Sequence, residues 1–503
     1  MTADALHTGP VPTTTTGSVR VSAGDNKIIW LLLGAAFVAI LNETTMGLAI
    51  PHLIDDLGIT AVLAQWLTTA FMLTMAVVIP ITGFLLQRLT TRTVFVTAMG
   101  LFTAGTLIAF LAPGFEVLLV ARVVQASGTA IMMPLLMTTL MTVVPPHARG
   151  RMMGRVSIVM ALAPAIGPTL SGFILGSFSW HWIFGVVLPF AVIALVVGAR
   201  WIHNVGEQSH ARVDVLSVVL SAFGFGGIVF GLSNIGGGGH GTGPDAAAAA
   251  SASTLTLVIS LTIGVLALAL FVWRQLLLQR RDEALLDLRV FRSANFSISV
   301  AHFAVLSLAF FGAITVLPLY LQRSVGITPL EAGLVVLPGA LAMGLAGPVI
   351  GRIYDRWGPR VTLIPGSILT LALLWAFTGL TESTPVWMLV VAQTLLSIGL
   401  AMAFTPLFTA SLGSLAPRFY SHGSAIVSTV QQVAGAAGIA VMITLMTAAY
   451  GTGLASGLSD AAAWAAGTRA AFLFAGIAAV PTLLGAILIR KPADSIEGPP
   501  LLH

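Results

Sequence analysis

Long apolar stretches separated by short polar gaps recur from residue 28 to residue 490. Roughly 20 apolar residues make a helix that crosses a bilayer. The pattern predicts fourteen such helices, near residues 28–50, 62–86, 93–112, 117–141, 152–177, 181–202, 213–235, 253–274, 294–319, 330–354, 361–380, 385–410, 422–448 and 469–490. The first is not read as a removed signal sequence, because its apolar run is too long, a 27-residue tail precedes it and no small-x-small cleavage site follows.

Composition narrows the class. Of 503 residues, 57% are hydrophobic and 8% charged, against about 25% charged in soluble chains. The 52 glycines suit helices that approach closely in lipid. Together these predict an all-α integral membrane protein. No cysteine is present, which excludes disulfides, thiolate metal sites and cysteine nucleophiles. The net charge of +5 does not point to nucleic acid, since basic residues sit in the gaps rather than on one stripe. Placing both tails and every second gap on one side collects 20 of the 23 lysines and arginines there; the opposite gaps hold only Arg323 and Arg469, and Arg122 lies inside a span. The positive-inside rule then predicts cytoplasmic termini.

Two gaps are longer. Residues 236–252, glycines followed by alanines, read as a flexible outer connector. Residues 274–292 mix arginines with Asp282, Glu283 and Asp287 around Leu285, Leu286 and Leu288, the pattern of an amphipathic helix on the cytoplasmic interface. An internal repeat organises the rest. Gly83, Gln87, Arg88 and Arg92 follow span two much as Gly351, Asp355, Arg356, Gly358 and Arg360 follow span ten. Two six-span blocks in parallel orientation are expected, with two spans inserted between them, an arrangement that in transporters encloses a midplane site. The predicted units are a tail over 1–27, a six-helix bundle over 28–202, the inserted pair and linker over 203–293, a second bundle over 294–490 and a tail over 491–503.

The stretch from Gly351 through Asp355-Arg356 to Gly358-Pro-Arg360 resembles the loop signature of the major facilitator superfamily. Leu119 to Gly128, with Arg122 and Gln125, resembles its fourth-span signature, and Gly154, Ala163, Gly167-Pro168 and Ser171-Gly172 resemble the fifth-span signature of its antiporters. Ser179 to Phe184 and Leu41-Asn42-Glu43-Thr44 through Pro51 are similar to the fourteen-span drug/proton antiporter branch. The resemblance spans 28–490 and implies a major facilitator fold that exports lipophilic or cationic drugs against protons in the cell membrane. The chain departs from the family at Gln87 and Thr90, where aspartate and glycine are usual, at Asn42, where an aspartate is usual, and at Gln431-Gln432.

Among the acidic residues only Glu43 lies deep in a span. A charged group there costs on the order of 3 kcal/mol even on insertion scales, which marks it as functional. Glu43 is therefore a candidate proton carrier; the alternative is a carboxylate held permanently by a cation or by hydroxyls such as Thr44 and Thr45. Arg122 stays charged and must find acceptors in the apolar zone, either to tune Glu43 or simply to pack against Gln125 and carbonyls. Gly167 and Pro168 in span five are expected to form a hinge or seal, and Gly351, Asp355 and Arg356 to fasten helix ends in one conformation. Substrate contacts are expected from Asn42, Gln65, Trp66, Gln125, Met133, His302, Phe311 and Gln432, since methionine and aromatic surfaces accept varied apolar shapes.

Neither lysine sits in a phosphate-cradling Gly-x-x-x-x-Gly-Lys loop, so a gradient must supply the energy, and no enzyme activity or cofactor beyond the proton is expected. One proton moving through 100 mV and one pH unit releases about 3.7 kcal/mol, enough for a solute gradient of roughly 500-fold. The partners expected are a lipophilic small molecule and the bilayer, with the chain acting as a monomer. A dedicated exporter of one lipid, antibiotic or metabolite remains the alternative, and a non-transporting sensor or scaffold would lack a soluble domain to signal through.

Overall fold

The computed structural model describes residues 23–59, 61–205, 214–233 and 244–491. Among them every regular element is helical. The first six long helices are α1 (Ala23–Leu57), α2 (Ala61–Arg88), α3 (Thr91–Phe110), α4 (Phe115–Val143), α5 (Arg149–Ser177) and α6 (His181–Trp201). Then come α7 (Val215–Ser233) and α8 (Pro244–Leu278). The remainder are α9 (Ala294–Arg323), α10 (Pro329–Trp357), α11 (Arg360–Ala376), α12 (Val386–Gly413), α13 (Tyr420–Ala455), α14 (Asp460–Ala479) and the short α15 (Pro481–Leu488). Thirteen helices are long and apolar enough to cross a membrane among the described residues. The other long helix, α5, has 29 residues, and the side chains at 165, 168 and 169 within it lie outside the described set.

The internal repeat is visible in the packing. In the first block α3 packs on α4, α1 on α5, α2 on α4 and α1 on α6; in the second, α11 packs on α12, α9 on α13, α10 on α12 and α9 on α14. The blocks meet along two equivalent seams, α5 against α10 and α2 against α13. The pair α7 and α8 pack on each other, and α7 also lies on α2 and α13. α8 is the outlying member: its span is largely exposed, with Leu266 and Trp273 about three-fifths accessible, as lipid-facing residues are.

Local sequence explains the ends. Thr90 caps α3, its Oγ1 accepting from the Thr93 amide at 3.0 Å, whereas Gly358 ends α10 with φ 81°, a conformation that favours glycine. The two loop copies therefore differ at this position because one turn needs a cap and the other a left-handed residue.

Two expectations are corrected. The alanine run of the outer connector is helical from Pro244 onward, because alanine is the best helix former; residues 236–243 lie outside the described set, as do most of both tails. The linker after α8 is not an amphipathic surface helix. It consists of two short 3-10 turns, Gln279–Arg281 and Leu288–Arg292, and Leu285 and Leu286 are 1% and 2% exposed. Its apolar residues point into protein rather than lipid, and Asp282 breaks the helix with φ 54°.

Candidate functional site

Glu43 sits in the interior stretch of α1, partly exposed, one residue after Asn42, which is buried. Neither Oδ1 nor Nδ2 of Asn42 has a hydrogen-bond partner among the described residues, a costly state for a buried amide. The neighbouring hydroxyls do not serve Glu43. Thr44 Oγ1 donates to the backbone of Ile40 and Leu41, and Thr45 Oγ1 donates to the Asn42 carbonyl at 2.9 Å.

Arg122, on α4, is 1% exposed and is the largest fully buried side chain among the described residues. Its Nη1 donates to Gln125 Oε1 at 2.7 Å, its Nε reaches the Leu67 carbonyl of α2 at 3.5 Å, and its guanidinium lies 4.0 Å from the centre of the Phe71 ring. Gln125 Nε2 donates to Thr106 Oγ1 at 2.8 Å, and Thr106 in turn donates to the Phe102 carbonyl. The network is possible because α3 and α4 touch at backbone distance. A Cβ on Gly105 would stand 2.5 Å from the Gln125 amide, and one on Gly128 2.3 Å from the Ala98 carbonyl. Arg122 thus finds neutral acceptors, while the ion pairs among the described residues are Asp214 with Arg274 and Arg289 with Asp282 and Asp287. Glu43 and Arg122 interact through space without a direct contact. Among the described residues neither charge has a bonded counter-ion.

Gly167 joins this region: a Cβ there would meet Thr44 Oγ1 at 2.2 Å, so α5 presses on α1 beside Glu43. The side chains of Gln65 and Pro168 lie outside the described residues. Trp66 is partly exposed against Phe230 of α7, ring centres 5.7 Å apart. Gln432 crosses between blocks, its Nε2 3.8 Å from Met75 Sδ. Phe311 packs against Gly435 and lies 5.2 Å from Phe310, at the edge of an aromatic group with Phe404, Phe303 and Phe408. Met133 is partly buried against the core.

His302 is elsewhere. Its Nε2 is 3.4 Å from Ser367 Oγ of α11, its Nδ1 has no partner among the described residues, and Gly485 of α15 closes over it. It belongs to the interior of the second block. Gln125 likewise has both ends of its amide engaged and offers nothing to a ligand in this conformation.

The residues expected to gate fall in separate places. Gly351 abuts Gly150: a Cβ there would lie 2.0 Å from the Gly150 carbonyl. The Asp355 carboxylate accepts the Gly150 and Arg151 amides, each at 2.8 Å, a charged acceptor at a helix N-terminus. Contacts continue up the seam from Gly154–Gly347 to Gly344–Ala161. Ser157 and Thr405 hydroxyls meet at 2.5 Å, and Thr138 and Ser424 hydroxyls at 2.8 Å. The face carrying Arg149, Arg151 and Arg418 is therefore clasped shut. Arg356 stands apart, over the Trp357 ring at 4.8 Å. Sequence reasoning missed Thr106, Thr138, Ser424 and Thr405; a single hydroxyl in an apolar run is too common to stand out.

The sequence profile described as "Major Facilitator Superfamily" matches residues 32–439 and 303–501. The chain is 40% identical over 473 residues to the uncharacterized MFS-type transporter YcnB of Bacillus subtilis, covering 94% of this chain and 97% of that one. It is 39% identical over 466 residues to the lincomycin resistance protein LmrB of Bacillus subtilis, covering 92% and 95%. The multidrug resistance protein B homolog of Mycobacterium tuberculosis is 30% identical over 449 residues, covering 87% and 81%. Among solved structures, the human organic anion transporter MFSD10 (TETRAN) superposes with a TM-score of 0.61 at 14% identity, covering 92% of this chain and 99% of that one. The E. coli fucose:proton symporter FucP gives 0.57 at 13%, covering 91% and 98%.

Proposed function

Because the chain belongs to the Major Facilitator Superfamily, as a multi-pass transporter of the cell membrane and not an enzyme, we propose that it exports lipophilic or cationic drugs in exchange for protons, by alternating access. The observation that carries the coupling is the Glu43–Arg122 arrangement. Among the described residues the carboxylate in the interior of α1 has no bonded cation, and Arg122, which acts on it through space, is itself engaged with neutral acceptors. Such a carboxylate is free to change its protonation as the blocks rock. The orphaned Asn42 amide beside it is the natural contact for a polar group on the cargo.

In this reading the chain has fourteen spans, acts as a monomer, and its basic face is cytoplasmic, so that with the seams clasped the site opens to the outside. Glu43 takes up a proton there, the seams part, and proton loss inside favours drug binding. Similarity to lincomycin resistance proteins supports an antibiotic among the cargo; it equally favours a second reading, a dedicated exporter of one antibiotic class.

Reconstitution in proteoliposomes tests the coupling. An imposed pH gradient should drive drug export by the parent, and Glu43→Gln should abolish it while leaving drug binding. Unchanged export in Glu43→Gln would remove the assignment. Growth inhibition across unrelated compounds separates the two cargo readings, since a dedicated exporter protects against one chemical class only.

A further inference from the structure

The blocks are copies, yet their seams on the basic face are closed by different chemistry. At the α5–α10 seam Asp355, four residues after Gly351, binds two amides of the first turn of α5. At the α2–α13 seam Gly83 makes the equivalent close approach, 3.2 Å from a Cβ to the Ser421 carbonyl. Short 3-10 turns, Pro146–Ala148 and Pro417–Phe419, precede α5 and α13 alike. But the residue four after Gly83 is Gln87, whose Nε2 makes one neutral bond of 2.8 Å to the Arg418 carbonyl. One neutral bond is weaker than two to a carboxylate.

A carboxylate reaches this seam from another part of the chain. The segment after α8 runs against it, with Asp287 4% exposed. It closes a cavity of about 510 Å³ together with Gln87 and Thr138 of the first block and Arg418, Ser421 and His422 of the second. Asp287 and His422, at the start of α13, line this cavity together. Arg289 binds Asp287 at 2.5 Å and also Asp282, and its guanidinium lies 5.6 Å over the Phe419 ring.

The segment is anchored to the inserted helices. Gln275 Oε1 of α8 accepts the Leu285 and Leu286 amides at 2.8 and 3.2 Å, and Gln275 Nε2 donates to Ser217 Oγ of α7 at 2.8 Å. Ser217 donates to Asp214, which Arg274 holds through two bonds of 2.6 and 2.8 Å. A polar side chain with no exposure, Gln275, has its whole amide committed to this tether.

We propose that residues 282–292 are a strap, tethered by α7 and α8 through Gln275, that supplies the α2–α13 seam with the acidic clasp Gln87 does not provide, and so holds the cytoplasmic face shut between transport steps. The proposal rests on the alternating-access reading and gives the inserted pair a task within it. Releasing the strap weakens one seam and leaves the Asp355 clasp in place.

The absence of native cysteine makes the test direct. Spin labels on Arg88→Cys and Ala416→Cys, both exposed, report the width of the seam in lipid nanodiscs without drug. Gln275→Ala, which cuts the tether, should raise the wide population about tenfold, the loss of roughly one charge-assisted bond. Asp287→Asn, which keeps the side chain's shape and leaves Arg289 its pair with Asp282, should shift it the same way. Adding Gln87→Asp to either should restore the narrow seam. Unaltered distances in both Gln275→Ala and Asp287→Asn would overturn the proposal, and failure of Gln87→Asp to close the seam again would overturn the claim that the strap stands in for that carboxylate. The measurement uses no proton gradient, so a negative export result with Glu43→Gln bears on the coupling reading alone.

Discussion

Removing the Asp355 carboxylate should unlatch the α5–α10 seam. Asp355 accepts two amide bonds, both 2.8 Å, from Gly150 and Arg151. Hydrogen bonds to a charged group contribute about 1.5–3 kcal/mol each. At the low end, suited to a site bordering water, the pair is worth about 3 kcal/mol, or roughly 150-fold in the balance between shut and open. Asp355→Ala should shift the balance by that factor, and Asp355→Asn, which keeps one acceptor oxygen without charge, by about tenfold. Ser157 provides the reporter, since it is buried against Thr405 and Gly347 across the seam, so parting the blocks should expose it. With Ser157→Cys as the single thiol, alkylation by a small maleimide tracks the open fraction. Slow labelling of the parent, labelling faster by up to two orders of magnitude in Asp355→Ala and an intermediate rate in Asp355→Asn are expected. Equal rates in all three, with the proteins equally stable, would refute the clasp.

Gly128→Ala should lower thermal stability in detergent, because its Cβ would lie 2.3 Å from the Ala98 carbonyl and 2.6 Å from the Phe102 amide, forcing α3 off α4 at a cost of about 1–3 kcal/mol; Gly176→Ala, with nothing within 4 Å, is the control, and matching melting temperatures would count against the contact. Asp214, which precedes α7, is held down from 3.8 to about 2, chiefly by the Arg274 side chain and also by Ser217. Its contribution is complete above its ordinary range and disappears as pH falls through about 2. Asp214→Asn should therefore lower the melting temperature equally at pH 5 and pH 8, with the gap narrowing only below about pH 4; a gap that closed between pH 5 and 8 would contradict the pairing.

Much of the fold was legible because lipid imposes a simple rule: helices must be apolar and about 20 residues long. The repeat was legible in Gly83 and Gly351, whose partners demand the absence of a side chain. What stayed hidden depended on distance in space. His302 looks like a site residue along the chain, yet α11 and α15 enclose it in the second block. Gln125 looks available until Thr106 and Arg122 take both ends of its amide. The linker misled because its leucines have the spacing of a surface helix, while their burial depends on Gln275, a polar residue near the end of an apolar run. That glutamine was the available signal, since a buried amide has to be bonded.

The end of the last helix has a practical consequence. Lys491 Nζ donates to the Asp355 carbonyl at 3.0 Å, Arg360 Nε reaches the Ile489 carbonyl at 3.2 Å, and the Arg490 amide binds Asn295 at 2.9 Å. A purification handle or fluorescent reporter joined directly after Lys491, in place of residues 492–503, would hang from these bonds. Its drag would reach Asp355, so keeping residues 492–503 as a spacer should leave the seam unperturbed, and seam labelling with and without them checks this.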